Sequence, residues 1–218
     1  MVPKVGDILQ QEDDYYSIVS MLTAMPIDMM VQLDDIGVDF TTINEYDLFL
    51  LLFPAIQRMD TSLVFGGLNL SKFQTAVNMD NNQVVVVDYE TGISIDRLIH
   101  NQIACMLRKM HFLERNNRKP GNDEGKSYMI QRAREKARRN RKKQLDSQLE
   151  ELIVGLVCAP GFPYGYEGIR ELSIYQFNRS LRQINHKIGY DNRMHGIYAG
   201  TINAKELSED DLTWLCKK

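Results

Sequence analysis

One segment limits what this chain can become: Arg115 to Lys143, RNNRKPGNDEGKSYMIQRAREKARRNRKK. It holds twelve Lys/Arg against three acids, a local charge of +9, whereas the rest of the 218 residues carries −12. The modest net charge of −3 therefore hides a strongly dipolar polypeptide. Within the segment, the Pro/Gly/Asn break at 116–125 is the best domain boundary in the chain, and Lys126 to Gln144 reads as a helix of about 28 Å at 1.5 Å per residue. Apolar residues thin out after Ile130, so its second half is expected to be exposed. The division that follows is an acidic α+β lobe at 1–114, a basic connector helix at 115–145 and a small helical lobe at 146–218.

The acidic lobe has eleven acids and two basic residues in its first 60 positions. Tyr15, Ile18, Val19 and Leu22 fall at helical spacing before Pro26. Thr42-Ile43-Asn44-Glu45 has the form of a capping box, which would open a mostly buried helix from Glu45 to Gln57. Between Ser62 and Ile95 the pattern changes. Ser62 to Phe65 and Gln83 to Val87 are β-branched or aromatic runs bounded by turn residues, and Ile93 with Ile95 supplies a return strand, which together predict a small antiparallel sheet. Leu68 to Val77 fits either a short helix or another strand. Asp96 is a fitting N-cap for a helix from Arg97 to Glu114, with Ile99, Ile103, Met106, Met110 and Leu113 as its core-facing stripe.

In the last lobe, Ser147-Gln148-Leu149-Glu150 and Ser173-Ile174-Tyr175-Gln176 are two more capping boxes. The first opens a helix with Leu149, Leu152, Ile153, Leu156 and Val157 apolar. The second opens one with Ile174, Phe177, Leu181, Ile184 and Ile188 at helical spacing. Gly189 kinks or ends that helix in this reading, and Gly200 terminates the piece before it. The aromatics of GFPYGYEG are placed over the core, and Ser208 starts a last short helix that tucks in Leu212, Trp214 and Leu215. The fold class is α+β and predominantly α-helical.

Candidate chemistry is sparse. Cys105, Cys158 and Cys216 fit neither a disulfide framework nor a zinc pair, which suits a reducing cytoplasm. His100 and His111 stand three turns apart, too far for one ion, and are expected to be partly exposed; His186 and His195 have no ligand partners at a useful spacing. Asp13-Asp14, Asp34-Asp35 and Asp210-Asp211 read as surface charge or helix caps, since adjacent helical residues diverge by roughly 100°. Gly66-Gly67 lacks the helix and lysine of a phosphate loop, and no nucleophile elbow is present. No catalytic residue, metal ligand or cofactor is assigned, and the chain reads as non-enzymatic. Its first residues lack the apolar core of a signal peptide, and the longest apolar run, Leu48 to Phe53, is too short for a membrane span.

The basic helix is the candidate partner-binding site, through Arg132, Arg134, Lys136, Arg138, Arg139, Arg141, Lys142 and Lys143. Three readings compete: an acidic partner protein or the chain's own acidic N-terminal region, a solvated linker, and nucleic acid. Against nucleic acid, the charges circle the helix, Tyr128 is the one nearby aromatic, and the pI is about 5.8. Met21, Met25, Met29 and Met30 either fill a core or line an adaptable groove.

Two stretches, NNRKPGNDEGKSYMIQRAREKARRNRKK and LSIYQFNRSLRQINHKIGYDNRMHGIYAGTI, resemble proteins of tailed bacteriophages of Gram-positive hosts, encoded among the tail genes and regarded as tail assembly chaperones or tail-morphogenesis proteins. The resemblance covers mainly residues 97–215. It implies a non-catalytic protein of the host cytoplasm during virus assembly, with the tape-measure or another tail protein as client and no membrane. It leaves open presence in the mature virion as a structural subunit. Nucleic-acid binding or DNA packaging through the basic helix is the alternative. A homo-oligomer joined head to tail, acidic lobe to basic helix, follows from the charge segregation.

Overall fold

The computed structural model describes residues 2–79, 82–140 and 147–216. They form a predominantly helical α+β structure that divides into two compact units, Ile8–Gln148 and a second made of Val2–Asp7 with Leu149–Lys218. Helices α1 (Val5–Gln10), α2 (Glu12–Thr23), α3 (Met30–Asp35), α4 (Glu45–Ile56) and α5 (Ser62–Phe65) come first. Strands β1 (Gln74–Asn78), β2 (Gln83–Asp88) and β3 (Ile93–Ile95) follow, then α6 (Arg97–His111), α7 (Asp123–Asn140), α8 (Gln148–Val157), α9 (Tyr166–Arg170) and α10 (Ile174–Tyr198). Among the described residues no helix is long and apolar enough to cross a membrane.

The core of the first unit is laid down by α2 and α4. Tyr15, Ile18, Val19 and Leu22 are all buried, as their spacing requires, and Leu48, Phe49, Phe53 and Ile56 meet them from α4. The cap of α4 is Asn44, two residues beyond the threonine favoured by the sequence. Its Oδ1 accepts from the backbone N–H groups of Tyr46 at 2.9 Å and Asp47 at 3.2 Å, and Asp47 Oδ2 accepts from Asn44 N–H at 2.9 Å. Thr42 instead turns its hydroxyl to the Asp39 carbonyl.

The sheet is antiparallel in the order β1-β2-β3, with Ala76 opposite Val85 and Val86 opposite Ile95. Val86 and Ile95, opposite each other, face the core, Val85 is buried on the other face of the sheet, and the Tyr46 hydroxyl donates to the Ile95 carbonyl at 2.9 Å, tying α4 to the sheet. Ser62 to Phe65, expected as a strand, is the one-turn helix α5. Asp60 Oδ1 accepts from Ser62 N–H at 3.0 Å and turns the chain before an extended conformation can pair. The ambiguous stretch resolves into a 3₁₀ turn at Leu70–Lys72 and β1.

In the second unit the N-terminal residues supply a pairing that the sequence did not disclose. Val5 N–H donates to the Leu172 carbonyl and Ile174 N–H to the Pro3 carbonyl, each at 2.9 Å, forming an antiparallel bridge at Lys4 and Ser173. The contacts thus group residues 2–7 with the C-terminal lobe, and α7 with the first unit, where the sequence drew its boundaries at 115 and 146. Ser173 caps α10 with the reciprocal Gln176 bond expected of it. Ile174, Phe177, Leu149, Ile153, Leu156 and Ile169 are the buried centre, whereas Leu152, Tyr164, Tyr166 and Ile188 remain exposed.

Helix α10 runs through Gly189 without a break and stops at Ala199, where Gly200 takes the left-handed φ of +72°. Gly196 is needed for a different reason: a Cβ there would sit 2.5 Å from Ile202 Cδ1, because the chain folds back closely over the helix. The short helix expected from Ser208 does not form. Ser208 and Asp211 exchange their capping bonds, yet the residues that follow are turns, and Leu212, Trp214 and Leu215 stay about half exposed.

Candidate protein-interaction surface

Helix α7 is not a free linker. Its inner edge, Met129 and Ile130, packs against the cluster of Ala24, Ile27, Leu33, Phe40 and Leu48, and Met25, Met29 and Met30 cover the same cluster. Ion pairs then fix the helix from both ends of that contact. Lys126 Nζ donates to Asp39 Oδ2 at 2.7 Å, and Arg134 Nη2 reaches Asp34 Oδ2 at 2.7 Å and Asp35 Oδ1 at 2.6 Å. The Lys126 bond, with help from Thr41, holds the Asp39 carboxyl down at about 2. Asp34 and Asp35 converge on one guanidinium at the end of α3, so this pair is more than the surface charge the sequence suggested.

The predicted site residues therefore separate. Arg134 is committed to the chain's own acidic region, and Arg132 lies with its guanidinium carbon 5.7 Å from the Tyr128 ring centroid. Lys136, Arg138 and Arg139 are exposed; Arg141, Lys142 and Lys143 lie outside the described residues. Between α3 and α7 opens a groove of about 520 Å³ whose lining includes Met30, Met129 and Ala133 as floor and Arg132, Lys136 and Arg139 as rim. Met25, Met29 and Met30 pack against the core cluster, and Met30 also lines the groove.

Helix α6 corrects the sequence reading most sharply. The expected core stripe of Ile99, Ile103, Met106, Met110 and Leu113 points outward or to the margin, with Met106 61% exposed, and the buried positions are His100, Ala104, Leu107 and Arg108. The helix is turned by one residue because its polar side chains have partners in the core. Arg108 Nη2 donates to the Thr23 carbonyl at 2.5 Å and to Glu45 Oε1, and Arg115 Nη2 donates to Glu45 Oε2 at 2.6 Å. Glu45, which the sequence placed as the last residue of a capping box, is a buried carboxylate with an arginine on each oxygen.

Of the two histidines expected to be partly exposed, His100 is buried, whereas His111 is partly exposed as expected. His100 is 2% exposed, its ring stacked on Phe49 at 4.4 Å between centroids, and its Nε2 has no hydrogen-bond partner among the described residues. His111 Nε2 lies 2.9 Å from the Tyr15 hydroxyl. Burial lowers both imidazoles to about 4 and raises the Tyr15 phenol, so at neutral pH the tyrosine donates to an uncharged ring. Among the described residues no group of three His, Cys, Asp or Glu side chains is placed to hold a metal ion.

Residues 140–217 match the family described as the YomV second domain, a phage-derived family named for a protein of the Bacillus phage SPbeta region. The match covers α8, α9 and α10 and associates this part of the chain with bacteriophage proteins. No curated protein and no solved structure matches the chain.

Proposed function

We propose that the chain is a non-enzymatic morphogenesis protein of a tailed bacteriophage, acting as a tail assembly chaperone whose client is the tape-measure or another tail protein in the host cytoplasm. The observation that carries this reading is the outward face of α6. Ile99 and Met106 are exposed on a helix whose other side is locked into the core, and Leu113 is exposed just past its C-cap, which is the form of a ridge that receives an apolar helical segment. The likeness of the C-terminal region to a phage-derived family and the resemblance of residues 97–215 to tail-morphogenesis proteins point in the same direction. The exposed cations of α7 add a second, electrostatic contact, which would speed encounter with an acidic partner.

Co-expression with the tail proteins of the same phage, followed by co-purification, tests the reading. Capture of a helical tail protein by the wild type and its loss in Met106→Glu is the expected result; equal capture by both removes the α6 face from the function. Nucleic acid is the competing partner for α7. Binding of duplex DNA whose logarithm falls linearly with log salt would assign the cations to phosphates instead.

A further inference from the structure

The C-terminal residues that were expected to tuck into the second unit do so through their backbone and leave their side chains about half exposed. Their backbone is strapped along α10: Gln183 Nε2 donates to the Trp214 carbonyl at 2.7 Å while its Oε1 accepts from Cys216 N–H at 3.0 Å, His186 Nε2 donates to the Thr213 carbonyl at 2.8 Å, and Arg193 Nε donates to the Asp211 carbonyl at 3.2 Å. With the main chain held this way, Leu212, Trp214 and Leu215 present exposed side chains, Trp214 at 52%, next to the exposed acids Glu209 and Asp210. An apolar anchor whose backbone is already fixed loses little conformational entropy on docking, and tryptophan is the residue that most often dominates such contacts.

The groove between α3 and α7 has the complementary chemistry. Its floor is Met30, Met129 and Ala133, adaptable and apolar, and its rim holds three cations, Arg132, Lys136 and Arg139, against one acid, Glu135. We propose that the strap of one copy, Glu209–Leu215, docks in the α3–α7 groove of a second copy, with Trp214 on the methionine floor and Glu209 and Asp210 against the cationic rim. Because strap and groove are different surfaces, the contact is heterologous, and repetition builds a ring or an open filament. This goes beyond client binding and stands on different residues from the α6 face.

Sedimentation velocity of the purified full chain across a wide concentration range, at low and at raised ionic strength, tests it. The expected result is concentration-dependent assembly that weakens as salt screens the rim. Trp214→Ala removes the anchor and weakens assembly by about thirtyfold or more. Lys136→Glu with Arg139→Glu removes the rim on an exposed helix and serves as the second variant should the first fail to fold, each being checked by circular dichroism. At concentrations where the wild type assembles and neither variant does so alone, a mixture forms a one-to-one pair, since the tryptophan variant keeps an intact groove and the rim variant an intact strap. A wild type that is monomeric at every concentration overturns the proposal, as does assembly unaffected by both variants. Two inactive variants that fail to complement each other overturn the head-to-tail pairing. Client capture plays no part in these measurements, so their failure is separate from failure of the chaperone reading.

Discussion

Helices α6 and α7 belong to the same unit, and they turn opposite chemistries toward it. Helix α6 buries a histidine and an arginine and leaves apolar side chains outside; α7 packs Met129 and Ile130 half-buried against the unit and leaves Lys136, Arg138 and Arg139 outside. Both carry arginine–carboxylate pairs, yet Arg108–Glu45 is almost sealed from water, with each side chain 8% exposed, whereas Arg134 meets Asp34 and Asp35 at the surface. The comparison teaches that the face a helix buries is decided by whether its polar groups find partners there. A buried ion pair is costly to desolvate and costlier still to break by half.

The largest effect should come from breaking it by half. Arg108→Ala leaves Glu45 inside the unit with Arg115 alone and is expected to destabilise by about 3–5 kcal/mol in denaturant unfolding. The joint substitution Arg108→Met with Glu45→Leu should recover most of that loss, because no unpaired charge remains buried and Arg115, with its side chain 48% exposed, is left to water. A single substitution that shifts the midpoint no more than a surface change would show that water reaches Glu45.

Acid probes the same buried face through its histidines. An unfolded histidine titrates near 6.5, and burial lowers His100 to about 4, so between these values the unfolded chain binds more protons. The contribution of His100 is complete above pH 6.5 and is lost as pH falls through 4, a total of about 3 kcal/mol, with His111 shifted in the same direction. Unfolding midpoints measured from pH 7 to 4 should fall steeply, and His100→Gln should flatten the slope. A flat profile in the wild type would mean that the ring is already hydrated.

On α7 the matching substitution is expected to do little to global stability. Arg134→Ala removes an exposed contact to Asp34 and Asp35, and exposed ion pairs contribute weakly and are screened by salt. The hydrophobic contact of Met129 and Ile130 should keep the helix in place, with faster amide exchange confined to its C-terminal turns. Loss of protection along the whole of α7 would show that charge, and not the apolar edge, docks it.

What was legible in the sequence was local. The α2 stripe, the β2 run, the Asp96 cap and the Ser173–Gln176 box each depend on residues within a turn or two, and the structure bears all four out. The burial of α6 depended instead on Glu45, 63 positions away from Arg108, so hydropathy alone chose the face without the partner. The N-terminal pairing with Leu172 and Ile174 is longer in range still and carries no local signal in the residues before α1. The outward cations of α7 were legible as charge, and the commitment of Arg134 to Asp34 and Asp35 was foreshadowed only by the acidity of the first 60 residues.

The smallest stability effect tests the comparison most directly. If the apolar row of α6 is a working surface and not a misplaced core, then Met106→Glu, on a side chain 61% exposed, should change folding stability by no more than about 0.5 kcal/mol. The same substitution should abolish capture of an apolar helical client, because the apolar contact is lost and a carboxylate would have to be desolvated against hydrocarbon. Ala104→Glu, about 200° round the same helix at a site with no exposure, is the control: it should unfold the unit and so lose capture for an unrelated reason. Unfolding by Met106→Glu would return the row to the core and withdraw the α6 face as a binding surface. Full stability with undiminished capture would move the client to another part of the molecule.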